Sequence, residues 1–217
     1  METFAEKYWK KWGLQEHPIA KKPVERVYIG NTFCPHLFPE NDILHAMLEK
    51  AKIEGISVTL TFSWIKESQI DSIRELLKFL EQRKEYMPNE IAVNDWGTAH
   101  LIRKWKQETQ NCVKLNLGIL LNRYKKDNRS RYLKEETKCF QETNLNSEFY
   151  QQYLKENQIE RYELEACGHE IVIPKGKHSL HLPFFQTNTA QFCTLYAKCA
   201  CGDRGRQKSV EQCPGYC

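Results

Sequence analysis

The sequence predicts an α/β protein, an incomplete (β/α) barrel of the TIM type with parallel strands and a Cys-rich C-terminal tail. Three observations carry that reading. Short apolar or β-branched runs alternate with amphipathic, helix-length segments from residue 27 to residue 165, and parallel strands need helical crossovers. Five or six such strands in 217 residues fall short of the eight strands and roughly 250 residues of a closed barrel. Burial is affordable for this composition, because 41% of residues are hydrophobic and the net charge is only +4, which argues against disorder. An open doubly wound sheet is the alternative architecture, and in both folds ligands gather at the carboxyl ends of the strands.

Phe4, Tyr8, Trp9 and Trp12 recur at helical spacing and predict a short helix that stops at Gly13. Val27–Gly30 reads as a strand running into a loop at Asn31–Pro35, so that Cys34 sits just past a strand end. Residues 40–53 have helical periodicity with Asn41 or Asp42 as cap. Residues 56–62 form a β-branched strand, and 66–85 a helix. The next strand, from Glu90, turns at Gly97 into a helix over 98–107, and 113–118 is a further strand. Residues 122–144 interrupt the rhythm with Lys and Arg and read as an exposed loop. A helix over 147–157, a strand over 159–165 and one or two more strands at 170–173 and 179–184 complete the pattern. The expected organisation is an N-terminal helix and connector (1–24), a barrel-like domain (25–190) and a Cys-rich tail (191–217).

No run of 18 apolar residues exists, and the opening METFAEKYWKKW lacks an apolar signal core, so a cytoplasmic chain with no membrane insertion is expected. The nine cysteines are therefore poor material for disulfides. Five of them, Cys193, Cys199, Cys201, Cys213 and Cys217, crowd the last 25 residues. That thiolate set suits an iron–sulfur cluster or zinc, and spacing alone leaves both open, with only Cys213 and Cys217 paired like a zinc knuckle. Phosphate-loop, dinucleotide, zincin and nucleophile-elbow motifs are absent.

Several segments in order resemble the collagenase-like peptidase family, in particular its UbiV-type members. Val27-Tyr28-Ile29-Gly30-Asn31-Thr32-Phe33-Cys34 is similar to an early strand of that family, Val93-Asn94 to a second strand end, and Glu163-Leu164-Glu165 to a later acidic strand. Cys193 and Cys213-Pro214-Gly215-Tyr216-Cys217 resemble its closing Cys and C-x3-C. The resemblance implies a 4Fe-4S cluster on Cys34, Cys193, Cys213 and Cys217, with Cys199 and Cys201 as alternates. It further implies a subunit of an oxygen-independent hydroxylation or RNA/cofactor modification system, acting on a small aromatic substrate or RNA. A homologous or other protein partner would complete the barrel. The contrasting expectation is a noncatalytic interaction module with a structural zinc site in the tail.

Substrate candidates are Asn94 and Asp95 at a strand end, where a turn role competes, and Glu163 and Glu165, which share one face of a strand. His178 and His181 could ligate metal or simply pack. Arg123, Tyr124, Lys125, Lys126, Arg129, Arg131, Tyr132 and Lys134 interleave cations with aromatics in a way that suits RNA, against the plainer reading of a solvated loop.

Overall fold

The computed structural model describes residues 2–125, 141–167, 169–182, 186, 192–205, 210, 212–215 and 217. Six strands pair in chain order, all parallel: β1 (Arg26–Gly30), β2 (Ser57–Thr61), β3 (Glu90–Val93), β4 (Lys114–Leu117), β5 (Ile159–Glu165) and β6 (Lys177–His181). Between them run α2 (Asn41–Ile53), α3 (Ile70–Glu81), α4 (Trp96–Thr109) and α5 (Glu148–Glu156), while α1 (Phe4–Lys11) precedes β1 and α6 (Thr194–Cys201) lies in the tail. Laid flat, six strands would separate β1 from β6 by roughly 24 Å. Instead the Tyr28 ring of β1 meets the His181 ring of β6 at 5.2 Å. The sheet is a curled half-barrel.

Strand alternation sorts the side chains onto two faces. Outward go Ile29, Val58, Leu60, Ile91, Val93, Leu115, Leu117 and Leu164, and they form one apolar cluster with the helices. Leu44 and Leu48 of α2, Ile73, Leu76, Leu77 and Leu80 of α3, Ile102 and Trp105 of α4, and Leu154 of α5 complete it. Each such side chain contributes about 1.5–3 kcal/mol through burial. A register shift between β4 and β5 places Ile159 opposite Leu115 but Arg161 opposite Asn116. That extra residue lets Ile159 join the core while Arg161 turns to the inner face.

Local chemistry explains the element ends. Thr3 and Glu6 form a capping box at α1, and Phe4 N donates to both Glu54 oxygens at 3.2 and 3.1 Å, tying the N-terminal helix to the end of α2. The helix expected over 66–85 resolves into α3 flanked by 3-10 turns at Glu67–Gln69 and Lys84–Tyr86.

Four local expectations are corrected. α2 is capped by Glu40 without a side-chain bond, with Asn41 and Asp42 inside its first turn. Gly97 does not end the β3 segment in a turn, because Asp95 caps α4 and the helix already starts at Trp96. Residues 170–173 make no strand of the sheet, since Val172 contributes only a bridge to Glu142. Helix α6 in the tail was not expected. Among the described residues, no helix is long and apolar enough to cross a membrane.

Candidate functional site

The inner face is polar on every strand. Inward positions are Arg26 and Tyr28, Thr59 and Thr61, Glu90 and Ala92, Asn116, Arg161, Glu163 and Glu165, and Ser179 and His181, as strand alternation, the register and their mutual contacts require. Closed barrels usually fill this space with Val, Ile and Leu. Here nothing aliphatic larger than alanine is supplied by these positions.

Near the amino-terminal rim, Glu90 is surrounded by donors. Arg26 Nη1 lies 2.8 Å from Oε2 and Arg161 Nη2 lies 3.3 Å from Oε1, while Asn116 Nδ2 and the Thr59 hydroxyl donate to Oε2 at 2.7 and 3.2 Å. Higher in the lumen the predicted pair Glu163 and Glu165 is buried on the inner face. Glu165 accepts from Gln186 N at 2.7 Å, and its carbonyl accepts from the Tyr124 hydroxyl at 3.0 Å. Glu163 differs: neither carboxylate oxygen has an aligned hydrogen-bond donor, and its nearest ionic neighbour is His181 Nε2 at 3.3 Å. Contact with Glu163 raises the His181 pKa above its ordinary value despite the opposing effect of burial. Burial, with the Glu163 charge, pushes the Tyr28 phenol up to about 12, so it stays protonated.

Asn94 and Asp95 act as latches at the carboxyl ends. Asn94 Nδ2 donates to the Phe62 carbonyl at 2.6 Å, and its Oδ1 accepts from Leu120 N at 3.0 Å, joining β2, β3 and β4. Gly118 is needed beside it, because an added Cβ would lie 2.2 Å from Asn94 Oδ1. Asp95 accepts from Thr98 N and Oγ1 at 2.7 and 2.6 Å and from Ile65 N at 3.2 Å. His178 faces outward, its Nε2 2.8 Å from the Pro174 carbonyl and its ring against Tyr162.

Cys34 follows β1 in a loop set by Asn31, whose Oδ1 accepts from Phe33 N and Cys34 N at 2.8 and 2.9 Å. The tail returns to this rim: the Val210 carbonyl lies 3.3 Å from His36 Nε2 and accepts from Lys66 Nζ at 3.2 Å. Burial raises the Cys34 thiol pKa, the amides of His36 and Leu37 oppose it, and the charges of Cys213 and Cys217 raise it further. Those two sulfurs therefore lie within electrostatic reach of Cys34. Cys193 caps α6, its Sγ accepting from Tyr196 N at 3.5 Å. Cys199 and Cys201 ride the last turn of that helix, and all of these thiols are free. Among the described residues, no three His, Cys, Asp or Glu side chains are gathered at metal-ligand distance. The donor set nevertheless fits a thiolate-bound cluster in kind: Cys34, Cys193, Cys213 and Cys217 are four free sulfurs, half-buried or exposed.

Cys139, Lys126, Arg129, Arg131, Tyr132 and Lys134 lie outside the described residues. Tyr124, read as a base-stacking candidate, instead directs its hydroxyl to the Glu165 backbone. The Arg26–Glu90–Arg161 cluster escaped the sequence reading, although Arg-x-Tyr, Thr-x-Thr and Arg-x-Glu-x-Glu within consecutive strands signal a polar face of period two. Comparisons with protein-family models, with curated proteins and with solved structures find no match for this chain.

Proposed function

We propose that this chain is a 4Fe-4S protein, resembling UbiV-type members of the collagenase-like peptidase family, that serves as a subunit in an oxygen-independent hydroxylation or RNA/cofactor modification system. One observation carries the reading. The tail returns to the rim that carries Cys34 at the carboxyl end of β1, some 175 positions away in sequence, where the Val210 carbonyl meets His36 and Lys66. The upward push of Cys213 and Cys217 on the Cys34 thiol pKa supports it. Cys34, Cys193, Cys213 and Cys217 would hold the cluster, with Cys199 and Cys201 as alternates. When bound, an all-thiolate cluster supplies electron transfer. The chain's own contribution is to order the tail across the strand ends, where ligands gather in such folds.

A partner is part of the proposal. β1 and β6 are the edges of the open half-barrel, and Leu180 and Leu182 are exposed at and just beyond β6, a combination that a second protein would cover. The zinc-binding, noncatalytic module is the competing reading, favoured by the Cys213-x3-Cys217 pair. Anaerobic purification with metal analysis and absorbance spectroscopy decides between them. A brown protein with about four irons per chain is expected. A colourless, zinc-loaded protein would overturn the cluster.

A further inference from the structure

A cavity of about 610 Å³ opens at the amino-terminal mouth of the half-barrel, on the rim opposite Cys34. Its wall takes the first residue of each of four neighbouring strands, namely Arg26, Ser57, Glu90 and Lys114. Three cations and two carboxylates line it, with Arg26, Lys84 and Lys114 set against Glu81 and Glu90. Both acids already have partners. Glu90 is held by Arg26 and Arg161 at 2.8 and 3.3 Å, with Asn116 and Thr59 donating as well, and Glu81 accepts from the Trp105 indole N–H at 2.6 Å. The lysines do not: Lys84 and Lys114 are exposed and have no carboxylate at ion-pair distance among the described residues. Acids on the flanking segments pair elsewhere, Glu85 with Lys52 at 3.7 Å and Glu160 with Lys177 at 4.0 Å, and Glu25 stays out of the wall. Arg26 commits Nη1 to Glu90 and Thr59, yet 25% of its side chain remains exposed. Met87, Pro88 and Val113 add an apolar side, so the cavity has room for an organic body beside a charged group.

We infer that this mouth is a binding site for a small organic anion, its phosphate or carboxylate group directed onto Lys84, Lys114 and the exposed edge of Arg26, and its body against Met87, Pro88 and Val113. The ligand's charge meets cations that no acid of the chain neutralises, and its oxygens accept charge-assisted hydrogen bonds. The site does not depend on the cysteines proposed to hold a cluster at the other rim. Cys112 shares this wall, and its exposed thiol reports on occupancy.

Titration calorimetry on the full chain at fixed ionic strength, with phenyl phosphate, benzoate and the neutral benzamide, tests the site. Saturable binding of at least one anion and none of benzamide is expected, and the tighter anion tells which head group the site takes. Lys84→Gln combined with Lys114→Gln removes two exposed charges from the wall and weakens the bound anion roughly tenfold or more. Arg74→Gln combined with Lys198→Gln removes the same charge at exposed positions outside the wall, and affinity stays within about twofold because distant surface charges are screened. Alkylation of Cys112 by iodoacetamide, followed by peptide mass spectrometry, slows when the cavity is saturated with the anion and is unchanged by benzamide. No saturable anion binding, equal binding of benzamide, equal losses in the two double variants, or an unprotected Cys112 at saturation overturns the site. Iron content is read on the same preparations, so failure here is distinguishable from failure of the cluster.

Discussion

Two buried glutamates on one concave wall have opposite surroundings. Glu90, near the amino-terminal rim, is enclosed by two guanidiniums, an amide and a hydroxyl. Glu163, higher in the lumen, faces a single imidazole and has no aligned donor. The first arrangement ties β1, β2, β3, β4 and β5 together from inside and satisfies both carboxylate oxygens of Glu90, while Asn116 Oδ1 and Arg161 Nε beside it have no partner. The second keeps hydrogen-bonding capacity unused at the end of the sheet where the loops, Cys34 and the returning tail converge. The lesson is a division of labour along the strand axis: a dense ionic network holds the curl below, and a single carboxylate–imidazole pair stands above it.

The largest way to break this comparison is Glu90→Gln. It strands Arg26 and Arg161 without their shared counter-ion, and a loss of about 3–5 kcal/mol in denaturant unfolding is expected. Glu163→Gln, read in the same experiment at a pH where His181 is neutral, costs much less than Glu90→Gln, because it strands no guanidinium. Asn94→Ala comes next. It orphans the Phe62 carbonyl and Leu120 N–H inside the structure, at a cost of roughly 1–3 kcal/mol. Asp95→Ala removes the cap of α4 and a tether to Ile65, and a shift of about 0.5–2 kcal/mol in unfolding free energy follows.

The smallest effect is a pH dependence. His181 has a folded pKa above its ordinary value, so the folded state binds its proton more tightly than the unfolded chain does. Its stabilising contribution is complete below the unfolded value of about 6.5 and disappears as pH rises through the raised folded value. Wild type minus His181→Gln, followed by unfolding across neutral pH, should therefore show stability falling as pH rises. A flat difference would remove His181 from contact with Glu163.

Most of the architecture was legible because it rests on local pattern. Runs such as Val58–Leu60 and Ile91–Val93 carry their strand propensity in adjacent residues, and α3 repeats its apolar positions at helical spacing. The acidic strand Glu163–Glu165 was legible as one face, but only curling of the sheet decides that this face is interior. The Arg26–Glu90–Arg161 cluster was hidden for the same reason, since its members are about 65 residues or more apart and meet only once β1, β3 and β5 share a concave wall. Asn94 and Asp95 read equally as ligand groups or turn residues; their partners Phe62, Leu120 and Ile65 come from other segments. Gly97 misled because a helix tolerates glycine in its first turn when Asp95 supplies the cap.

The contrast between rims extends to the cysteines. Cys112 is exposed just before β4 at the amino-terminal rim, and Cys34 is half-buried just past β1 at the carboxyl rim. Anaerobic purification of Cys34→Ala beside Cys112→Ala, with iron counted per chain, tests most directly whether the chemistry sits at the carboxyl rim. Loss of iron and brown colour in Cys34→Ala, with both retained in Cys112→Ala, is the predicted result. Equal iron in the two variants would contradict it.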